Sequence, residues 1–249
     1  MRYGRAMHMA RDQVYALPQT QLVDFAFTPA VADVFPDMIR RSVPGYEQII
    51  SLLGVIAQQY AQPNSHIYDL GCSLGAATLS MASQLRQTEA HYVCVDNSPA
   101  MTSRCQQILQ RHLPTERFTL LCDDIQAIAI ENASVVVLNF TLQFLKPDER
   151  LALLQKIWQG LKPNGVLILS EKVQFADEAQ QALLTDLHLA FKRANGYSEL
   201  EISQKRSALE NVLIPDTLEA HQTRLQQAGF ARSLQWFQGM NFISLLALK

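Results

Sequence analysis

One stretch of this chain constrains its fold more than any other: Ile67-Tyr-Asp-Leu-Gly-Cys-Ser-Leu-Gly-Ala-Ala-Thr-Leu79. The run ending at Tyr68 and Asp69 reads as the end of a strand, and Ala76 to Leu85 reads as a helix. Between them Gly71, Ser73 and Gly75 form a small-residue turn, through which backbone N–H groups and a positive helix end can approach a ligand closely. The plain alternative is a tight strand-to-helix turn with no ligand.

The spacing of the loop separates ligand classes. A dinucleotide fingerprint needs glycine at 71, 73 and 76, where this chain has Gly71, Ser73 and Ala76. The pattern of S-adenosylmethionine binders, an acidic residue then G-x-G-x-G, is met by Asp69, Gly71 and Gly75 and departs only at Ser73. That ligand has no pyrophosphate to press on the loop, so the departure is tolerable. His91 to Asp96 follows as an apolar strand ending in an acid, near the spacing of a ribose-binding carboxylate. Asn97 comes next, and Ser98-Pro99 opens a helix with Ser98 as its cap, which leaves Asp96 free for a ligand. A third strand, Phe118 to Cys122, leads into Asp123, Asp124 and Ile125, where a carboxylate and a neighbouring N–H suit an adenine edge. An acidic turn is the alternative there. Ala133 to Asn139 is apolar and β-branched enough for burial on both faces, and Gly165 to Ser170 reads as a fifth strand. Strand ends bearing the loop, Asp96, Asp124 and Asn139 make one nucleoside crevice.

The 249 residues lie within reach of one α/β domain, and 48% hydrophobic content supplies a sizeable core. A formal charge of −2 implies no general attraction to nucleic acid. The cysteines at 72, 94, 105 and 122 show no metal spacing, and Cys94 and Cys122, inside apolar strands, are expected to be buried thiols. No run suits a membrane span, and residues 1–21 lack the apolar core of a signal peptide. A cytoplasmic protein is expected, with a mobile tail over 1–21 and one domain over 22–249. Pro29, Pro36 and Pro44 are expected to break the N-terminal part into short pieces. Thr217 to Ala228 reads as a helix closed by Gly229, followed by strands at Ser233 to Gln238 and Phe242 to Leu248. A helical insertion over about 175–215 precedes that helix and is placed to cap the crevice. The expected architecture is α/β: a doubly wound, mostly parallel seven-stranded sheet with an antiparallel last strand, an N-terminal helical segment and that insertion.

Longer strings carry a more specific likeness. Val34-Phe-Pro-Asp-Met-Ile-Arg-Arg-Ser-Val-Pro-Gly-Tyr46, Tyr68-Asp-Leu-Gly-Cys-Ser-Leu-Gly-Ala-Ala-Thr78, Leu138-Asn-Phe-Thr-Leu-Gln-Phe-Leu145 and Phe191-Lys-Arg-Ala-Asn-Gly-Tyr-Ser-Glu-Leu-Glu-Ile-Ser-Gln-Lys-Arg-Ser207 closely resemble the carboxy-S-adenosyl-L-methionine synthase family. The likeness runs from about Phe25 to the C-terminus, and Ser73 is part of that family's own pattern. It implies a methyltransferase-like fold that does not transfer methyl groups. Implied substrates are S-adenosylmethionine and prephenate, and implied products are carboxy-S-adenosylmethionine, phenylpyruvate and water, with no metal. A companion enzyme would use the product to make the oxyacetic acid group on a wobble uridine of tRNA, and a homodimer is suggested.

By the same resemblance Tyr46, Gly71, Cys72, Ser73, Asp96, Asn97, Asp124, Ile125, Asn139 and Arg206 hold the sulfonium nucleoside. Arg206 is implied to pair with the added carboxylate, which a guanidinium fork suits. No general base is implied, and the prephenate contacts are left open. Lys192, Arg193, Lys205 and Arg206 form a local basic group, either a solvated face offset by Glu199, Glu201 and Glu210 or a collar for a dianion. His188 is expected to pack or lie at the surface rather than act as a base. An ordinary methyltransferase and a nucleoside-binding protein without chemistry are the competing classes. A methyltransferase would have no carboxylate for Arg206 to meet.

Overall fold

The computed structural model describes residues 10–19, 23–85 and 90–249. The apolar runs become five parallel strands: β1 (His66–Leu70), β2 (His91–Asp96), β3 (Phe118–Cys122), β4 (Ala133–Asn139) and β5 (Leu161–Lys172). β4 is buried on both faces because it is apolar on both: Val135 and Val137 join one core layer, Val136 and Leu138 the other. β7 (Phe242–Leu248) runs antiparallel between β5 and β6 (Arg232–Gly239), giving the order β3-β2-β1-β4-β5-β7-β6. Strand order reverses at β1 and β4, and ligands of such sheets bind in the crevice outside the carboxyl ends there. Among the described residues no helix is long and apolar enough to cross a membrane.

The helices are α1 (Pro29–Ser42), α2 (Tyr46–Tyr60), α3 (Ala76–Gln84), α4 (Pro99–Leu109), α5 (Arg150–Gly160), α6 (Glu178–Ala194), α7 (Glu199–Leu209) and α8 (Leu218–Ala228). α6 and α7 make up the insertion, α7 starting in a capping box between Ser198 and Glu201. Of the 1–21 segment, residues 10–19 are described and are tied to the domain. The Asp12 N–H donates to Asp37 Oδ2 at 2.8 Å, and Gln204 of α7 donates to the carbonyls of Tyr15 and Leu17 at 2.9 and 3.0 Å. Residues 1–9, 20 and 21 lie outside the described residues.

Three local expectations are corrected. Pro36 does not break the chain: α1 runs through it, although a mid-helix proline loses a backbone hydrogen bond at about 3 kcal/mol. The compensation is tertiary, since Val31, Ala32 and Met38 of α1 share a core with Met101 and Ala208. Cys122 is exposed because it ends the edge strand β3, whereas Cys94 is buried. β5 extends past Ser170 because Glu171 and Lys172 pair with Ile243 and Phe242 of β7, a partner absent from the local sequence.

His221 on α8 carries a pH prediction. It is 1% exposed, neither ring nitrogen has a partner, and burial pushes its pKa down from 6.5 to about 4, with Arg224 and Arg150 adding to the effect and Asp216 opposing it. Between those values the unfolded chain binds a proton that the folded one refuses. Stability should therefore fall as pH drops through that window, by up to about 3 kcal/mol. Urea midpoints of His221→Leu and wild type at about pH 7.5 and 4.5 check this. The variant should lose less stability on acidification.

Candidate functional site

The site begins where β1 ends. Asp69 is 2% exposed and accepts from the Thr78 N–H at 3.1 Å and its hydroxyl at 2.6 Å. Burial pushes its carboxyl up to about 6 against the pull of those two bonds. Asp69 thus ties the strand end to the first turn of α3 and sets the loop between them. Gly71 has φ +79°, and a Cβ there would stand 2.3 Å from Thr141 Oγ1, so only glycine fits. Ser73 is also left-handed, at φ 50°, and its N–H donates to Asp96 Oδ2 at 2.9 Å. That bond holds a conformation usually left to glycine, which is how a serine stands in the loop.

Asp96 serves the backbone on both oxygens, Oδ1 accepting from the Ser98 N–H at 2.9 Å. Ser98 does cap α4 through the Met101 N–H, but Asp96 shares the helix start and is not free of it as the sequence suggested. Each oxygen retains capacity for a further donor. Desolvation raises the Asp96 carboxyl pKa, and the Ser98 and Ser73 N–H groups oppose it. Asp124 is exposed and its Oδ1 accepts from the Gln126 N–H at 2.8 Å, while Ile125 beside it is buried. At the end of β4 Asn139 Oδ1 is buried with no partner. The next residue, Phe140, takes φ 62°, a strained value for a bulky side chain, as the chain turns away from the sheet.

These strand ends open onto a cavity of about 600 Å³, room for a nucleoside and a small second molecule. Tyr46, Gly71, Cys72, Ser73, Asp96, Asn97, Asp124, Ile125 and Asn139 all line it. Tyr46 reaches it from the start of α2, its ring 6.5 Å from that of Phe140, and burial raises its hydroxyl pKa. An unpaired acceptor at Asn139, a glycine cradle at Gly71 and acids at the β2 and β3 ends fit an S-adenosylmethionine nucleoside. Strand order spreads charge along the wall. Asp124 and Asp96 follow β3 and β2, whereas Lys172 ends β5, where α6 and α7 add His188, Lys192 and Lys205.

Arg206 does not line this cavity. It is exposed, while Lys205 beside it is buried, because consecutive helical residues point about 100° apart. The basic group read from the sequence divides accordingly: Lys192 and Lys205 face the cavity, and Arg193 pairs at 2.5 Å with Glu199 on the exposed side. His188 is buried, its Nε2 2.8 Å from the Ser42 carbonyl and its ring 5.0 Å from Phe242. The sequence reading missed Lys172 and the aromatic wall of Phe27, Phe35 and Phe144. A polar pair, Glu171-Lys172, directly after an apolar strand was the signal for Lys172, by analogy with Asp96 and Asn139.

A family model described as a methyltransferase domain matches residues 67–165. A carboxy-S-adenosyl-L-methionine synthase of Geobacter sp. (strain M21) is 58% identical over 239 residues, covering 96% of this chain and 98% of that protein. A protein of the same name from Shewanella oneidensis is 56% identical over 243 residues, covering 98% and 100%. The chain belongs to the carboxy-S-adenosyl-L-methionine synthase family. It is therefore an enzyme acting on S-adenosylmethionine. Solved methyltransferases share the fold alone. Human N-acetylserotonin methyltransferase in complex with SAM has a TM-score of 0.61 at 16% identity, over 97% of this chain and 63% of that one. Magnesium protoporphyrin IX methyltransferase of Synechocystis has a TM-score of 0.58 at 17% identity, over 82% and 84%.

Proposed function

We propose that the cavity takes S-adenosylmethionine and prephenate and moves a carboxyl group from the second onto the methyl carbon of the first. The observation that carries this is the charge gradient of the cavity, acidic at the β3 and β2 ends and basic at β5 and α6, in a chain of this family. A hydroxyl methyl acceptor would call for a base beside it to take its proton. His188 is the imidazole on the wall, and burial pushes its pKa down to about 3 while Nε2 meets the Ser42 carbonyl.

The chemistry needs little from acid–base groups. Breaking the ring–carboxyl bond of prephenate releases carbon dioxide, and the electron pair aromatises the ring as hydroxide departs. Hydroxide takes a proton from the sulfonium methyl, giving water and an ylide, whose carbon then attacks the carbon dioxide. One C–C bond breaks and one forms. The protein's part is to hold both molecules together, exclude water and favour the anionic product. In this reading Asp96 holds the ribose hydroxyls, Asp124 and Ile125 the adenine edge, Asn139 and the 71–73 loop the methionine side, and Tyr46 closes over them. The product is proposed to supply the tRNA wobble-uridine enzyme. A homodimer is proposed as well, supported by the exposed Leu183 and Leu187 on α6. Arg206, exposed beside the cavity and near enough to bear on Lys172 and Lys192, is proposed to meet the product carboxylate at the rim.

Purified enzyme incubated with S-adenosylmethionine and prephenate should yield phenylpyruvate and a nucleoside heavier by one carboxyl group in the mass spectrum. Unchanged nucleoside and no phenylpyruvate would sink the reading. Tyr46→Ala should weaken S-adenosylmethionine by about 1 kcal/mol and Tyr46→Phe by less, since the ring supplies the contact. Calorimetric titration that finds both variants equal to wild type removes Tyr46 from the site.

A further inference from the structure

The β5 end of the cavity holds more positive charge than the fold can use. Lys172 ends β5, Lys192 lies one turn beyond His188 on α6, and Lys205 lies on α7, and all of them line the wall. Lys205 is accounted for: its Nζ donates to Ser42 Oγ at 3.0 Å and lies 4.0 Å from Asp12 Oδ2. Lys172 and Lys192 differ, since among the described residues no side-chain hydrogen bond or ion pair holds either ammonium. Glu171 lies next in the chain, but its Oε1 accepts from the Leu142 N–H at 3.0 Å. Two half-buried cations without a counter-ion are costly to keep, and proteins retain such groups where a ligand supplies the missing charge. The neighbouring wall is aromatic, with Phe27, Phe35, Phe144 and Phe242 among its residues.

We propose that Lys172 and Lys192 are the positioning pair for the second substrate, a dianionic carboxylate with a six-membered ring, binding its carboxylates while the aromatic wall takes the ring. This rests on the carboxyl-transfer reading and deepens it. The cavity then receives its two substrates from opposite ends, the sulfonium nucleoside along β3, β2 and β1 and the dianion from β5 and α6. The departing carbon dioxide is released between them, next to the methyl carbon.

Electrostatics agree with the geometry. Burial lowers the Lys192 pKa to about 7, with Lys205, Lys172 and Arg206 pushing the same way. Burial also lowers Lys172, and Arg206 adds to it. The groups bearing on Lys192 are thus cationic from α7 and β5 alike, with the neutral His188 on its own helix. An anion arriving there raises the Lys192 pKa, so binding should draw protons from solvent near neutral pH.

The test uses full-length enzyme and the variants Lys172→Gln, Lys192→Gln, Lys192→Arg and Arg193→Gln. Calorimetry with S-adenosylmethionine should give wild-type affinity for all of them, which establishes an intact fold and nucleoside site. Turnover should then show KM for prephenate raised on the order of 10- to 100-fold in each glutamine variant of the pair, the loss of one charge-assisted contact. Lys192→Arg should recover most of it, and Arg193→Gln, on the exposed face, should match wild type. Titrations of prephenate into the complex with S-adenosylhomocysteine, which has no methyl group to react, in two buffers of different ionisation enthalpy, should show proton uptake that Lys192→Gln lacks. Wild-type turnover with unchanged KM in both glutamine variants overturns the lysine assignment alone. Equal loss of S-adenosylmethionine and prephenate binding also overturns it, making the lysines structural. Wild type without prephenate turnover removes the carboxyl-transfer reading and this inference with it. Should a glutamine variant fail to fold, methionine at the same position supplies the neutral chain of similar length for the same measurements.

Discussion

Arg150→Ala is expected to lower the free energy of unfolding by about 3–5 kcal/mol, the usual result of removing one partner from a buried ion pair. Arg150 is 0% exposed. Its guanidinium donates to Asp216 at 2.6 Å, to the Ile214 carbonyl at 2.8 Å, to Leu145 at 2.9 and 3.1 Å and to Gln143 at 3.3 Å. Its loss strands those carbonyls and a carboxylate that Arg224 then holds alone at 2.7 Å. Burial would raise Asp216, but Arg224 and Arg150 outweigh it and keep its pKa below the ordinary value. The effect reaches the site, because Gln143 and Leu145 line the cavity and Gln143 Oε1 accepts from the Lys172 N–H at 2.9 Å. Glu171 adds to it: burial pushes its carboxyl up to about 8, and Arg150 is the charge that opposes this. Urea unfolding with an unchanged midpoint would show that the network contributes nothing.

Asp96→Ala should weaken S-adenosylmethionine by about 1.5–3 kcal/mol, or roughly 10- to 150-fold in Kd. Two losses combine: acceptors for the ribose disappear, and the Ser73 N–H no longer has the bond that holds its left-handed backbone. Asp96→Asn keeps one acceptor oxygen and should fall between alanine and wild type. Calorimetric titration, with thermal unfolding to confirm the fold, measures both. Wild-type affinity in a folded Asp96→Ala protein would refute the ribose assignment.

The half of the cavity proposed for the nucleoside was legible in the sequence because its residues sit at fixed offsets from local signals. Asp69 and Gly71 straddle a strand end, and Asp96 precedes a helix cap. Asn139 closes an apolar run. Each position follows from a neighbouring element that the local pattern defines. The β5 half was not legible in that way. Lys172 stands in a strand extension that exists only through pairing with β7, and Lys192 meets it from a helix 20 residues further along the chain. Arg206 shows the same limit from the other side: only the tertiary structure shows Lys205 buried on the cavity wall and Arg206 exposed beside it, its charge bearing on Lys172 and Lys192.

By itself the sequence determined the βα alternation, the loop chemistry at Gly71 and Ser73, the strand-end acids and the closing antiparallel pair, because periodicity, capping and turn residues act over a few positions. The tertiary structure alone decided that α1 continues through Pro36, that Arg150 is buried against the carbonyl of Ile214, 64 residues away, and that two lysines share an aromatic-walled end of the cavity. Those outcomes depend on contacts between residues far apart in the chain, whose burial and pairing energies outweigh local preference and leave no local trace.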